Sequence, residues 1–270
     1  MLIKADATAL EWRCKAWMAQ DTIAVEELND PSRDIHSENQ EAFKLASRTI
    51  SKGFLYRMIF ANAFGDQGFS GPAFAFSKDP NFAVASTSPK YWEAAIERFF
   101  DKYQGVYKHS LTLVRTGCET GRLVSPSGRE YVFKQYKNKR TGILEWPLTQ
   151  MLNYPIQGFS ADLMILVRRI IAREWPYYGS LSEALLINTV HDDVEGDVLN
   201  TPEHVQNACV GMQNAFLKLA PEAARWYGVD LNLPFTGEAK FGLNLYEDSM
   251  SKYKEATFLE DFYKICPRQS

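Results

Sequence analysis

Two aspartates lie in the middle of an apolar, partly β-branched stretch, "LLINTVHDDVEGDV", which covers residues 185–198. Such a stretch normally pairs into a sheet and buries at least one face. Burying unpaired carboxylates is costly, so Asp192 and Asp193 need a compensating partner. Asp6 ends another short apolar strand near the start of the chain. If the two strands are neighbours in one sheet, Asp6 and Asp192 can bind the same divalent cations.

Carboxylates that share cations suit phosphoryl transfer. Two Mg²⁺ ions about 4 Å apart stabilise both the attacking and the leaving oxygen of an in-line displacement. Mg²⁺ takes a few carboxylates together with waters and substrate phosphates. A strand-end aspartate is also a common turn residue or helix cap, so the pair alone leaves both interpretations open.

A second set of residues recurs at four-residue intervals: Arg48, Lys52, Tyr56 and Phe60. On a helix they form one slowly drifting stripe, whose cations could clamp a triphosphate and whose aromatic rings could stack a base. The alternative is a pair of cationic side chains whose stems cover an aromatic core contact. Gly53 costs up to about 1 kcal/mol against Ala in mid-helix, which indicates close packing or ligand approach.

A third set lies in "LNYPIQG", residues 152–158. The side chains of Asn153 and Gln157 can both donate and accept hydrogen bonds, as the minor-groove edges of base pairs require. Helix capping is the alternative role for both.

The composition is that of an ordinary globular protein of one or two domains, with 270 residues, 46% hydrophobic residues and a net charge of -3. The sequence contains no apolar run of membrane-spanning length and no signal-peptide pattern, so we expect a cytoplasmic protein without a membrane partner. The four cysteines are far apart and are expected to be reduced. Between Asp101 and Glu145 there are nine Lys or Arg against four Asp or Glu, interleaved with aromatic residues. That mixture suits a phosphate backbone, and a solvated surface is the alternative.

The elements that must position these residues are mostly helices that interrupt a few antiparallel strands, so the predicted fold class is α+β. The pattern predicts an opening strand, helices over 9–20 and 37–61 with Ser37 as a cap, an ordered loop over 62–90 and a helix from Ser88. It then predicts a hairpin around Pro126, a turn at Tyr154–Pro155, a helix over 158–175, two strands around the opening stretch, a helix from Thr201 and a strand near Gly237.

Taken in order, these segments resemble the catalytic core of family A DNA polymerases. "DATALEWR" is similar to the family's D-x-S-x-x-E-x-R motif, and "RDIHSENQEAF" to its D-I-H segment. "RTISKGFLYRMIF" resembles R-x-x-x-K-x-x-x-[FY]-x-x-x-Y, while "NYPIQG" and "VHDD" resemble the last two motifs. The resemblance extends from Asp6 to about Glu247.

The resemblance implies a palm made of residues 1–33 and 148–270, with helical fingers inserted at 34–147. It implies that Asp6, the backbone carbonyl of Ala7 and Asp192 bind two Mg²⁺ ions. The expected reaction is attack of a primer 3′-hydroxyl on the α-phosphate of a deoxynucleoside triphosphate (dNTP), with primer-template DNA as the partner.

By the same resemblance, His36, Arg48 and Lys52 hold the triphosphate, and Lys52 can protonate the leaving pyrophosphate. Tyr56 stacks near the incoming base and sugar, which implies tolerance of dideoxynucleotides, and Glu11 crowds the 2′ position. Asn153, Gln157 and His191 are expected to contact the minor groove.

The sequence departs from the family pattern at two candidate site residues. Asp193 stands where the family has Glu, so its metal contact is in doubt although a catalytic role is retained as a prediction. Phe60 stands where the family has Tyr, which removes a hydroxyl that could bond Glu11. Sugar discrimination is therefore expected to be looser.

The family's thumb precedes its first motif, whereas Met1 lies five residues before Asp6. We therefore expect a split polymerase of phage type, whose second subunit carries the thumb and any 3′–5′ exonuclease. Two other functions stay open: a non-catalytic remnant that binds DNA or a replisome partner, and an HD-type metal phosphohydrolase, whose name-giving dipeptide is His191–Asp192. The HD class needs further His and Asp ligands on helices, whereas the residues before His191 favour a strand.

Overall fold

The computed structural model describes residues 1–60, 69–175 and 184–267. The fold is α+β with antiparallel strands, which confirms the predicted class. The helices are α1 Leu10–Ala19, α2 Thr22–Asn29, α3 Ile35–Phe43, α4 Arg48–Phe60, α5 Ser70–Lys78, α6 Pro80–Ala83, α7 Pro89–Lys102, α8 Gln104–Thr120, α9 Leu148–Glu174, α10 Pro202–Leu217, α11 Leu219–Tyr227 and α12 Phe258–Ile265. The strands are β1 Leu2–Ala7, β2 Arg122–Val124, β3 Glu130–Val132, β4 Tyr136–Lys137, β5 Leu144–Glu145, β6 Leu185–Val190, β7 Asp193–Asp197, β8 Gly237–Gly242 and β9 Ser251–Lys252.

The chain divides into two compact units. One consists of Met1–Leu10 with Ser160–Ser270, and the other of Glu11–Phe159. The helices α1 and α9 run from one unit into the other. The two units are defined by their internal contacts alone. The functional division into palm and fingers stays a prediction.

The first unit contains a five-stranded sheet with the order β6-β7-β1-β8-β9, and β1 pairs antiparallel with both β7 and β8. Along β1 the buried residues alternate with partly exposed ones, because successive side chains of a strand point to opposite faces. Ile3, Ala5 and Ala7 form the buried face. Helix α10 packs against β1 and β8, and a Cβ added to Gly237 would overlap the ring of Phe216 on that helix. One face of the sheet is therefore sealed, and the other carries the polar side chains.

The second unit has an aromatic core. Helix α7, which the sequence predicted from Ser88, presents Trp92, Ala95, Ile96 and Phe99 at helical spacing, and all four are fully buried. Phe54 of α4 lies 6.2 Å from Trp92 between ring centroids. Because α4 buries its apolar face there, its cationic residues remain on the outside.

Three local predictions are wrong. The segment 62–90 was expected to be a loop, but α5 and α6 occupy much of it, with Phe76 and Phe82 buried against Trp92. Burial of these rings outweighs the loop-like content of Gly, Pro and Ser, and Pro80 at the start of α6 is favourable because its missing N–H would be unbonded anyway. The part of the predicted loop at 61–68 lies outside the described residues.

The turn expected at Tyr154–Pro155 is absent, because Pro155 lies inside α9. A proline costs one backbone hydrogen bond there. Met151, Leu152, Ile156 and Phe159 on the same helix are buried, and their packing maintains it. Ser37 does not cap α3 either: the cap is Asp34, whose side chain accepts from the Ser37 backbone N–H and hydroxyl.

The four cysteines are free thiols, as predicted. In the described part of the chain, no helix combines the length and the apolar composition that crossing a bilayer requires.

Candidate active site

Asp6 lies on β1, and Asp192 lies in the turn that leads into the neighbouring strand β7. Asp6 pairs in register with Asp193 of β7, and the Ala7 backbone N–H donates to the Asp192 carbonyl at 3.1 Å. His191, immediately before, has a φ of 54°, which places it in the tight turn between β6 and β7. The hairpin therefore returns its two aspartates to the end of β1 where Asp6 lies, as the sequence predicted.

The polar face of the sheet carries both signs of charge. Residues directly opposite each other in antiparallel strands point to the same face. Lys4 and Asp6 of β1 are opposite Glu195 and Asp193 of β7, and opposite Lys240 and Glu238 of β8. Four carboxylates and two ammonium groups thus share this face, and the acidic end is the end at which Asp192 lies.

The pKa of Asp6 is raised to about 6, first because burial removes its carboxyl from water and then because Asp192 and Asp193 repel its charge. The pKa of Asp193 is also raised, mainly by burial, although Lys4 opposes the shift. Lys4 Nζ lies 2.7 Å from Asp193 Oδ2, and this hydrogen bond raises the pKa of Lys4. A cation at Asp6 and Asp192 would relieve the repulsion between the carboxylates.

The donor set fits Mg²⁺. The candidate donors are two carboxylates and the backbone carbonyl of Ala7, the residue after Asp6. Mg²⁺ binds proteins through one or two carboxylates, while substrate phosphates and waters complete its shell. Among the described residues, no group of three or more His, Cys, Asp or Glu forms a cage for a metal. The metal-ligand roles of Asp6, Ala7 and Asp192 remain predictions. Asp193 has Lys4 as its counter-ion at Oδ2, while its Oδ1 is buried without a hydrogen-bond partner among the described residues.

The second candidate cluster lies on α3 and α4, in the other compact unit. His36 of α3 is half-buried, and its pKa is lowered by burial and by the charges of Arg48 and Lys52. Lys52 is exposed on α4. Arg48 is exposed and bonds the Asp34 carboxylate through Nε at 2.7 Å and Nη2 at 3.0 Å. Three basic groups therefore lie together, which is the charge distribution that a triphosphate needs.

Tyr56 and Phe60 continue along the same helix and are both partly exposed, as the stripe requires. Gly53 on α4 would bring a Cβ to 3.2 Å from the Phe82 ring, so close packing accounts for this glycine. Glu11 lies at the start of α1 and is partly exposed.

The predicted DNA contacts are divided between the two units. Asn153 and Gln157 lie one turn apart on α9, where Gln157 is exposed and Asn153 Oδ1 is buried without a hydrogen-bond partner. His191 is exposed in the β6–β7 turn of the other unit. Capping by Asn153 and Gln157 is excluded, because both lie well inside the helix.

Two residues that contact the candidate site were missed in the sequence. Lys4 precedes Asp6 by two positions, so strand alternation alone places both side chains on one face. Asp34 is the N-cap of α3 and neutralises Arg48, fourteen positions later. No spacing rule connects Asp34 with Arg48, because their contact depends on the packing of α3 on α4.

The fold is that of a polymerase-type domain. The structure is similar to the polymerase domain of Pol1 from M. smegmatis in complex with DNA primer-template and dNTP, with a TM-score of 0.64, 20% identity, and coverage of 88% of this chain and 38% of that chain. The chain belongs to DNA polymerase family A, whose model matches residues 1–247. It is 26% identical over 209 residues to DNA polymerase I of Treponema pallidum (strain Nichols), a match that covers 72% of this chain and 18% of that protein.

Proposed function

We propose that this chain is the catalytic part of a DNA-directed DNA polymerase, which transfers a nucleotide from a dNTP to a primer 3′-hydroxyl on a DNA template. The observation that carries the proposal is that Asp6 on β1 lies beside Asp192 in the turn before the adjacent strand β7, where their charges interact. Membership of DNA polymerase family A and the fold support it.

Asp6 and Asp192 would hold Mg²⁺, which when bound neutralises charge on the reacting phosphate oxygens. The contribution of the chain itself is to fix both carboxylates on a rigid sheet whose other face is buried against α10. In this proposal Lys4 is the counter-ion of Asp193 and fixes its carboxylate through Oδ2. Asp193 therefore acts as an auxiliary charge rather than as a metal ligand.

The triphosphate would bind the cluster of His36, Arg48 and Lys52. Arg48 exchanges its exposed Asp34 partner for phosphate oxygens, and Lys52 is positioned by α4 to give a proton to pyrophosphate as it leaves. Tyr56 and Phe60 lie farther along α4, where a base and sugar would stack, and Glu11 would select against a 2′-hydroxyl. Asn153, Gln157 and His191 would contact the minor groove of the primer-template.

A second subunit that carries the thumb and any 3′–5′ exonuclease is part of this proposal. The support is the edge strand β6, whose Leu185, Ile187 and Val190 are 64%, 52% and 41% exposed. An exposed apolar edge is a surface that natural proteins usually cover. Native co-purification of the chain tests this directly: recovery of a stoichiometric thumb-containing protein supports it, and a monomer active alone overturns it.

Primer extension tests the proposed reaction. The chain is assayed with its co-purifying partner, a primed template, four dNTPs and Mg²⁺, and Asp6→Ala and Asp192→Ala are compared with Asp197→Asn. Asp197 lies at the opposite end of β7, so its variant controls for loss of one carboxylate from the same sheet. We expect extension by the wild type and Asp197→Asn and none by the other two. Extension that survives Asp6→Ala overturns the mechanism.

The non-catalytic alternative predicts DNA binding without extension in every variant, so the same assay distinguishes it. The HD phosphohydrolase alternative is not favoured, because His191 and Asp192 lie in a turn between two strands rather than on a helix. The described residues also contain no cluster of further ligands for such a site.

A further inference from the structure

The hairpin β4–β5 carries an unusual concentration of positive charge. The segment 134–145, here named the basic arm, contains Lys134, Lys137, Lys139 and Arg140 and a single acidic residue, Glu145, in a chain whose net charge is -3. All four cations are exposed. None of them forms an ion pair with any residue that the structure describes.

The only carboxylate of the basic arm is already engaged. Glu145 accepts hydrogen bonds from Asn138 Nδ2 at 2.8 Å and from the Tyr136 hydroxyl at 3.3 Å. Neither donor is charged, and one carboxylate against four cations leaves a net positive charge on the basic arm. Like charges this close together repel one another, and an anionic ligand would remove that cost.

The basic arm is an ordered structure rather than a loose loop. Tyr136 pairs with Glu145 and Lys137 with Leu144. At the tip, the Asn138 side chain accepts from the Arg140 backbone N–H at 2.9 Å, and the Gly142 backbone N–H donates to the Asn138 carbonyl at 2.8 Å. Gly142 has a φ of 73°, which glycine adopts without strain. The backbone that carries the cations is thus held in a defined conformation, so little backbone ordering is needed for binding.

Apolar and aromatic side chains lie among the cations. Tyr136, Ile143 and Leu144 are 49%, 63% and 61% exposed. Tyr136 and Lys134 also line a groove of about 480 Å³, together with Pro147 and Gln150. An aromatic ring beside phosphate-binding cations suits unpaired nucleotides, whose bases can stack on it, whereas the bases of a duplex are already stacked on each other.

We propose that the basic arm binds single-stranded DNA, with Lys134, Lys137, Lys139 and Arg140 at the phosphates and Tyr136 against a base. The inference extends the proposed polymerase function by assigning a surface for the unpaired strand. It does not depend on catalysis, because binding is measured without nucleotides or metal.

The test is fluorescence anisotropy of the full chain with a labelled oligodeoxynucleotide of mixed sequence, measured over a range of salt concentrations. Lys137→Gln/Lys139→Gln/Arg140→Gln is compared with Lys90→Gln/Lys108→Gln/Lys254→Gln, which removes three exposed cations elsewhere. We expect the arm variant to bind on the order of tenfold more weakly at low salt. Its slope of log K against log salt should be smaller by about 2, since each lost contact with a single strand removes about 0.7.

Tyr136→Ala tests the stacking contact, and Tyr136→Phe is its control because it keeps the ring. A loss on the order of tenfold with Ala and little change with Phe is expected. The proposal is overturned if the arm variant and the control triple variant bind alike, if the wild type does not bind the oligonucleotide, or if a duplex of the same length binds as tightly through the arm. The binding assay contains no nucleotides or metal. A failure of primer extension therefore leaves the single-strand proposal standing, and a failure of binding by the arm leaves the polymerase proposal standing.

Discussion

Lys4 Nζ lies 2.7 Å from Asp193 Oδ2, diagonally across strands β1 and β7. Both side chains are largely buried, with 19% and 15% of their surfaces exposed. Because Lys4 is already the counter-ion of Asp193 through Oδ2, Asp193→Asn should lower the rate of nucleotide addition less than tenfold. Asp6→Asn and Asp192→Asn should lower it on the order of a hundredfold or more, because each removes a proposed metal ligand. Single-turnover primer extension measures all three.

The same contact predicts an effect on stability. Lys4→Met leaves Asp193 beside Asp6 without its counter-ion and should lower the free energy of unfolding by about 1–2 kcal/mol. Lys4→Met/Asp193→Asn should be closer to the wild type, and urea unfolding of both variants gives the comparison. For the rate prediction above, equal losses of rate in Asp6→Asn, Asp192→Asn and Asp193→Asn would mean that Asp193 also binds the metal.

The raised pKa of Asp6 leads to a prediction about stability that can be tested without substrate. Its raised pKa, about 6, means that the folded state holds the carboxyl proton more tightly than the unfolded state. Ionisation of Asp6 therefore costs stability as pH rises through the interval from about 4 to 6, and the cost is complete above it. After allowance for solvent screening of this half-buried group, Asp6→Asn without metal should be about 1 kcal/mol more stable than the wild type at pH 8 and equal at pH 3.

Added Mg²⁺ should remove that difference in stability. At a metal concentration about fivefold above its Kd, the wild type should gain about 1 kcal/mol, while Asp6→Asn gains little. Thermal unfolding at pH 8 with and without Mg²⁺ measures this, and Asp197→Asn serves as the control. Identical metal-dependent shifts in the wild type and Asp6→Asn would place the ion elsewhere.

Asp34 is expected to compete with the triphosphate for Arg48. The ion pair between them is exposed, so solvent screens it and a phosphate can replace the carboxylate. Asp34→Asn removes the competing charge and keeps the helix cap, because Asn caps as well as Asp does. The Kd for a dNTP should fall about two- to fivefold, as measured by isothermal titration. Asp30→Asn removes another exposed carboxylate from the segment between α2 and α3 and should leave the Kd for the dNTP unchanged. An equal fall of the Kd in Asp30→Asn would mean that the effect comes from the overall charge.

Gly158 lies where α9 meets the hairpin β2–β3, and a Cβ added there would overlap the Tyr131 hydroxyl. Gly158→Ala should therefore destabilise the protein by about 1–3 kcal/mol, although alanine favours helices. Tyr131→Phe removes the overlapping oxygen, so the double variant should regain part of the loss. Gly71→Ala is the control, because it is also helical and no atom lies near its added Cβ. Urea unfolding of the four proteins measures this, and full stability in Gly158→Ala would contradict it.

The sequence predicted the elements best where hydrophobic periodicity is long or alternation is clear. Helix α7 and strands β1, β7 and β8 follow this rule. It failed over 70–83, where the chain is rich in Gly, Pro and Ser yet forms helices because Phe76 and Phe82 pack on Trp92. It also failed at Pro155, where burial of the neighbouring residues maintains a helix that proline alone would end.

The candidate site was predictable in part from the sequence. Asp6 and Asp192 were identified from their position at strand ends, and the structure confirms that their strands are neighbours. Their partners were not found, because the Lys4 contact depends on the register of β1 with β7, and the Asp34 contact depends on how α3 packs on α4. Register and helix packing are set by the whole core and not by local spacing.

Lys15 on α1 is fully buried, with its Nζ 2.8 Å from Ser110 Oγ on α8. Burial lowers the pKa of Lys15 to about 7, and the charge of Lys15 contributes to the lowered pKa of His109 beside it. In the unfolded chain Lys15 keeps its ordinary pKa near 10.5. Between pH 7 and 10.5 the unfolded state therefore binds more protons, so the contribution of Lys15 to the free energy of unfolding rises with pH across that window. We expect Lys15→Met, which removes the buried amine, to be more stable than the wild type at pH 7 and to lose about 2 kcal/mol of that advantage by pH 9.

Urea unfolding of both proteins at pH 7 and pH 9 measures the difference between their free energies of unfolding, in which the contributions of the other titrating groups cancel. Lys108→Met, an exposed lysine on the same helix as Ser110, should follow the wild type at both values. If the curves of the wild type and Lys15→Met are parallel between pH 7 and 9, Lys15 is protonated in the fold and must have an anionic or water-mediated partner.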